Sequence, residues 1–207
     1  MVENKPSGRS QVVQRQTEEK NQRLRLIRDA ALQVFAQKGY AGTSMADIAR
    51  AARLGKATLY YYFPNKDALY QAVYVSGTNA YYAAMMPVLE AEPIDRLFRT
   101  MFRFYVDYMH EHPDFLKIFF PLGRSAPMAL LTSPEVQQLS QHHREALDQL
   151  LQSKLAPIPA VKRELLMQVL WTFLMGLNQK LLRQIPSAQL HVEIDLINRF
   201  MLQYAQE

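Results

Sequence analysis

The chain has 207 residues, a net charge of +5 and an apolar half, enough to bury one large core or two small ones and too apolar for a disordered tail. Its 7 glycines form no G-x-G-x-x-G or G-x-x-x-x-G-K run, and it has no cysteine, which excludes a nucleotide-cradling loop, a disulfide framework and thiolate-bound zinc. The longest uncharged C-terminal stretch, Leu165 to Gln179, carries Gln168, Thr172 and Asn178, and no apolar block follows Lys5 and Arg9; the expectation is a soluble cytoplasmic protein with no membrane partner.

Charge is unevenly spread. Residues 1–66 sum to +7 and residues 67–207 to −2, so the first third is suited to a polyanion or, more simply, to a solvated basic surface. Residues 1–16, with Pro6, Ser7, Gly8 and Ser10, lack apolar periodicity and read as a flexible basic arm, from which Arg9 or Arg15 could reach DNA. From Thr17 onward Leu24, Ile27, Ala31, Val34 and Phe35 recur at helical spacing, and Gly39 stops the helix. Ser44 and Asp47 resemble a capping box opening a short helix through Met45, Ile48 and Ala49. A tight turn at Arg53, Leu54 and Gly55 leads into a second short helix, Lys56 to Tyr62. Pro64 ends that helix, and Asn65 caps a long one running from Lys66 to about Met86.

Helical rhythm continues beyond Pro87. Over Ile94 to His112 one face holds Ile94, Leu97, Phe98, Met101, Phe102, Tyr105, Tyr108 and Met109, with Arg96, Arg99, Arg103, Asp107 and His110 opposite. His112-Pro113 breaks it. A short piece over Asp114 to Phe120 precedes a loop with Pro121, Gly123 and Pro127, and helices span Pro134 to Lys154, Pro159 to Gln184 and Leu190 to Ala205. No segment alternates with period two, so the fold class is all-α.

Two short helices about a tight turn, preceded by a third, form a helix-turn-helix. In the second short helix Leu59 and Phe63 anchor to the core. Lys56, Ala57, Thr58, Tyr60 and Tyr61 lie on other sides, where the free amides of the helix start, the lysine charge and the tyrosine hydroxyls suit phosphate, and a small alanine permits close approach to base edges. Lys66 adds charge.

The stretch Leu26 to Leu69, LIRDAALQVFAQKGYAGTSMADIARAARLGKATLYYYFPNKDAL, resembles the DNA-binding domain of TetR-type bacterial transcriptional regulators. The resemblance rests on the helix order and on the F-A-Q-K-G-Y, T-S-M-A-D-I-A and T-L-Y-Y-Y-F-P-N-K runs. It implies a three-helix domain over residues 17–66 and a helical ligand-binding and dimerising domain over 67–207. By position it implies phosphate contacts from Thr43, Ser44 and Lys66, and a recognition helix presenting Lys56, Ala57, Thr58, Tyr60 and Tyr61. Arg53 stands where the family usually has a turn glycine, and Gly55 where Ser or Thr often caps. An L-residue at that turn would be left-handed, at a cost of about 1 kcal/mol.

The resemblance also implies a cavity among the helices starting near Lys66, Ile94, Asp114, Pro134 and Pro159. Phe98, Met101, Phe102, Tyr105, Met109, Phe119, Trp171, Phe173 and Met175 are its candidate lining, with plain core packing as the simpler alternative. The apolar face of the Ile94 helix carries no charge, which favours an apolar or aromatic effector. The last two long helices are apolar enough to be covered from outside, and Leu170, Leu174, Leu177, Leu181, Ile194, Ile197, Met201 and Tyr204 are the dimer candidates, an intramolecular bundle being the alternative. His110-Glu111-His112 and His142-His143 do not put two ligands on one helix face, and nothing resembles a nucleophile elbow; no metal, cofactor or catalytic residue is expected. The reading is a homodimeric repressor that binds double-stranded operator DNA, an inverted repeat, and is released by a small molecule. A helix-turn-helix interaction module and a ligand-responsive activator stay open as alternatives.

Overall fold

A computed structural model describes residues 8–119, 130 and 132–206, and side chains from residue 12 to 205 within them. All the regular structure among the described residues is α-helical. The helices are α1 (Gly8–Lys38), α2 (Met45–Ala51), α3 (Lys56–Tyr62), α4 (Lys66–Ala91), α5 (Ile94–Glu111), α6 (Pro113–Phe119), α7 (Pro134–Lys154), α8 (Ala160–Leu182) and α9 (Ser187–Gln206). The chain divides after Val73 into two compact units, so the first turns of α4 belong to one unit and the rest of that helix to the other. The expected boundary was Lys66, where the helix begins.

In the first unit α1 to α3 and the start of α4 enclose a small core of Ile27, Ala31, Phe35, Ile48, Leu59, Leu69 and Tyr70. Phe35, Tyr40 and Tyr70 form a ring cluster, Tyr70 meeting the other two edge-on at centroid distances of 5.0 and 5.4 Å. The arm expected over residues 1–16 is helical from Gly8; residues 1–7 lie outside the described residues. Residues 12–23 are exposed throughout, so local chemistry accounts for their helix. They are rich in Gln, Glu, Lys and Arg, strong helix formers, and Gln14–Glu18 and Arg15–Glu19 bond at i,i+4 spacing.

The second unit is built on α5, which packs on α9, α8 and α6. Leu97, Phe98, Met101, Phe102, Tyr105, Val106 and Met109 are all buried along it, each apolar side chain contributing roughly 1.5–3 kcal/mol. The polar side of α5 is not simply solvated. Arg99 Nε and Arg103 Nη2 donate to the two carboxylate oxygens of Asp195 on α9, at 2.8 and 2.7 Å, and His191 Nε2 lies 2.8 Å from Asp107 Oδ1. Burial raises the Asp195 carboxyl, but Arg103 and Arg99 outweigh it and hold it below the ordinary range.

Two expected helix ends need correction here. α4 does not stop near Met86: Pro87 sits inside it, although an internal proline costs a hydrogen bond and about 3 kcal/mol. Leu89, fully buried, anchors the turn beyond the proline. Lys154 Nζ from α7 then satisfies the terminal carbonyls, donating to Glu90 O at 2.7 Å and Glu92 O at 2.8 Å. α9 starts at Ser187, immediately after Pro186, rather than at Leu190. The expected loop with Pro121, Gly123 and Pro127 lies outside the described residues, as does Phe120.

Candidate functional site

The turn of the helix-turn-helix is a Schellman motif built without glycine. Arg53 adopts φ 54°; its amide donates to Arg50 O at 3.1 Å, and Leu54 N donates to Ala49 O at 2.9 Å. The left-handed residue foreseen at this turn is therefore present. At the other end of α2 the capping box is complete: Asp47 N donates to Ser44 Oγ, and Ser44 N donates to Asp47 Oδ2, both at 3.1 Å. Lys38 Nζ bonds Asp47 Oδ1 at 2.9 Å, and that lysine, with Ser44, holds the carboxyl well below its usual range.

These devices fix α3, which Leu59 and Phe63 bury against the core. Lys56, Ala57, Thr58, Tyr60 and Tyr61 are all exposed, the two tyrosines by 50% and 79%. None of the five has a side-chain hydrogen bond or ion pair among the described residues; Tyr61 makes one ring contact, edge-on to half-buried Tyr62. An array of free donors and one cation on a rigid short helix can enter a groove without first breaking an internal bond.

The expected phosphate contacts fare differently. Thr43 is 3% exposed, and its hydroxyl donates to Gly39 O at 2.7 Å, so it braces the end of α1 and does not face outward. Lys66 is half-buried; its ammonium donates to Tyr40 O at 2.8 Å and Thr43 O at 3.0 Å and lies 4.2 Å from the Tyr40 ring centroid. It clamps the α1–α2 loop. Burial and a hydrogen bond to Asp67 push the Tyr40 phenol up to about 12. Ser44 is exposed but engaged in its cap. Arg50 and Arg53, both exposed beside the turn, are cations that periodicity did not single out. Arg15 is exposed and paired with Glu19, and the side chain of Arg9 lies outside the described residues.

Within the second unit a cavity of about 230 Å3 opens between five helices, α4 to α8. α4 contributes Tyr74, Thr78, Tyr81, Tyr82 and Met85, and α5 contributes Met101 and Tyr105. α7 adds Ser140, Arg144 and Leu147; α8 adds Trp171, Leu174, Met175 and Asn178; Phe119 completes the wall. Of the nine expected lining residues, Met101, Tyr105, Phe119, Trp171 and Met175 are brought together here. Phe98, Phe102 and Met109 are sealed in the core, and Phe173 packs edge-on against Phe102 at 4.9 Å, because they leave α5 and α8 on the sides turned to neighbouring helices. The helix starting at Lys66 was expected in the wall, but its lining residues were not singled out: α4 is apolar on several faces, so its sequence marks no single lining stripe. Burial raises the phenols of Tyr74, Tyr81, Tyr82 and Tyr105, which keeps them neutral donors at neutral pH.

The dimer candidates also need correction. Leu170, Leu177, Leu181, Ile194 and Met201 are buried within the chain, Leu174 lines the cavity, and Ile197 and Tyr204 are half-buried against the core. The chosen stripes are the inward faces of α8 and α9. Outward point Val161, Leu165 and Met175 on α8 and Val192, Leu196 and Phe200 on α9, from 44% to 81% exposed. Between them runs a groove lined by Leu165, Thr172, Phe173 and Ile197, and a Cβ added at Gly176, which also borders it, would meet nothing within 4 Å.

Residues 27–73 match the family of bacterial regulatory proteins named tetR. The chain is 29% identical over 130 residues to the biofilm operon negative transcriptional regulator IcaR of Staphylococcus epidermidis; the match spans 62% of this chain and 65% of that protein. A tetR-family transcriptional regulator from Streptomyces coelicolor superposes with a TM-score of 0.64 at 20% identity, over 89% of this chain and 82% of that one. The regulator FadR from Bacillus subtilis, solved with stearoyl-CoA, gives 0.64 at 13% identity, over 87% and 96%. At those identities the structural likeness is one of fold, and it accompanies the match of residues 27–73, the helix-turn-helix region, to the tetR family of bacterial regulatory proteins.

Proposed function

We propose that this protein is a sequence-specific, dimeric DNA-binding transcriptional regulator, a repressor released from an inverted-repeat operator by a small molecule. The observation that carries the reading is the row Lys56, Ala57, Thr58, Tyr60 and Tyr61: exposed, free of internal hydrogen bonds, and on a short helix fixed by a capping box and a Schellman turn. It lies in the third of the chain that carries the net positive charge. The relative's description as a negative transcriptional regulator supports repression, and the FadR complex with stearoyl-CoA supports an effector in a fold of this kind. The exposed apolar faces of α8 and α9 support a dimer, since patches of this sort on a helical pair mark a contact surface.

The mechanism is geometric. Two α3 helices of a dimer meet successive major grooves when their centres are about 34–36 Å apart. α4 runs from the helix-turn-helix unit into the cavity wall as one helix. A ligand seated against Tyr81 and Met85 therefore acts on the same rod that begins at Lys66. A coupling of roughly 1–3 kcal/mol changes operator affinity by about 5- to 150-fold.

Selection of bound sites from a random duplex library at about 150 mM salt, where unspecific phosphate attraction is weakened, tests the reading. Enrichment of an inverted repeat is the expected result. Failure to enrich any sequence, with ligand-free refolded protein as well, would contradict it.

A further inference from the structure

We infer that the cavity of the second unit takes a compact, single-ring aromatic carboxylate, its ring among the tyrosine, methionine and tryptophan side chains and its carboxylate on Arg144. This deepens the effector reading above and rests on it. Three observations converge on this chemistry: the cavity's size, the nature of its polar atoms, and the guanidinium at its edge.

At about 230 Å3 the cavity exceeds one of about 150 Å3 that holds benzene and falls short of the roughly 300 Å3 at which drug-sized sites begin. One substituted ring fits; a long acyl chain does not. The ring surfaces of Tyr81 and Trp171 and the thioethers of Met85 and Met101 supply aromatic and sulfur contacts.

Most polar groups of the described wall are neutral hydroxyls, which donate and accept, beside the amide of Asn178. Asn178 is 4% exposed; its Oδ1 accepts from Tyr105, and its amide nitrogen has no hydrogen-bond partner among the described residues. An acceptor on a ligand would meet that amide N–H. The phenols are held neutral by burial and bring no negative charge. Among the described residues no aspartate or glutamate lines the cavity.

Arg144 is the one charged residue of the wall among the described residues. It is exposed, so its guanidinium stands where the cavity meets water. Its field reaches the Tyr82 hydroxyl, as does that of Asp148. Neighbouring Glu145 is bonded to Gln141 at 2.8 Å, and no carboxylate lies within ion-pair distance of Arg144 among the described residues. His143, stacked on Tyr82 at 4.3 Å and 2.8 Å from Asn79 Oδ1, is held below its usual pKa by burial and by His142 and stays neutral at pH 7. A planar fork with no carboxylate partner, at the edge of an aromatic cavity, fits a planar anion on a ring.

Trp171 is the single tryptophan and lines the cavity, so its fluorescence reports occupancy. The full chain and its Arg144→Gln variant would be titrated with benzoate, benzyl alcohol and dodecanoate. Benzoate is expected to give a saturable change in the parent chain and to bind about tenfold more weakly to Arg144→Gln. Benzyl alcohol is expected to bind both proteins alike and more weakly than benzoate binds the parent. Saturation by dodecanoate without benzoate, equal binding of benzoate to both proteins, or no saturable response to any probe would overturn the inference. Operator binding measured alongside separates it from the reading it rests on: benzoate that binds through Arg144 yet leaves operator affinity unchanged would overturn release by an effector and leave the site assignment standing.

Discussion

The side chains of α3 divide by angle alone. Leu59 and Phe63 go inward and Lys56, Thr58, Tyr60 and Tyr61 outward, as helical spacing from Lys56 predicts. Because Tyr60 and Tyr61 touch little of their own chain, removing them changes DNA binding without changing stability, surface substitutions being worth within about 0.5 kcal/mol. Tyr60→Ala with Tyr61→Ala is expected to weaken operator binding by at least about tenfold, from contacts worth roughly 1–3 kcal/mol each, at an unchanged thermal midpoint. Equal affinity in a fluorescence anisotropy titration would remove these residues from the interface. Thr43 and Lys66 show what position by itself does not reveal. Their types suit phosphate, but one hydroxyl and one ammonium are committed to the carbonyls of Gly39, Tyr40 and Thr43. A side chain's internal partners depend on how a loop folds back, and no spacing encodes that.

Helix boundaries were legible where the sequence carries its own punctuation. Gly39, Ser44, Asn65 and Pro134 mark ends that the structure keeps, by a left-handed glycine, by the side-chain caps of Ser44 and Asn65, and by a proline in the first turn. They were illegible where a distant residue overrides the local signal. Pro87 should end α4, yet Leu89 and Lys154 carry it on to Ala91. Gln184 closes α8 by the same turn as Arg53 closes α2, with φ 58° and Ile185 N donating to Lys180 O at 3.1 Å, though nothing in its side chain announces it. Gly77 of α4 lies against α6: a Cβ there would overlap the ring of Phe115, which is 4% exposed. Gly77→Ala is expected to lose roughly 1–3 kcal/mol through overpacking, outweighing the better helix propensity of alanine. A urea midpoint equal to or above that of the parent would show that the ring yields freely.

In the assembled protein the helical fold class and the helix-turn-helix could be read from periodicity and motif, but the inward and outward faces of α8 and α9 could not. Both helices are apolar on more than one side, so hydrophobic spacing selects several stripes, and the buried Leu170, Leu177 and Ile194 looked as suitable for a partner as the exposed Val192, Leu196 and Phe200. The last three recur every fourth residue and form one outward strip. If two copies join there and present two α3 helices to DNA, charges on that strip separate them while leaving each chain folded, since the residues are half or more exposed. Sedimentation of the parent chain and of Leu196→Glu with Phe200→Glu, alone and with the selected inverted repeat, measures this. The account predicts a parent dimer that binds one duplex per two chains, and a folded monomeric variant with operator affinity reduced by at least about a hundredfold, as expected when linked recognition becomes two separate events. A parent monomer that binds the repeat as one chain, or a monomeric variant that binds it undiminished, would contradict it.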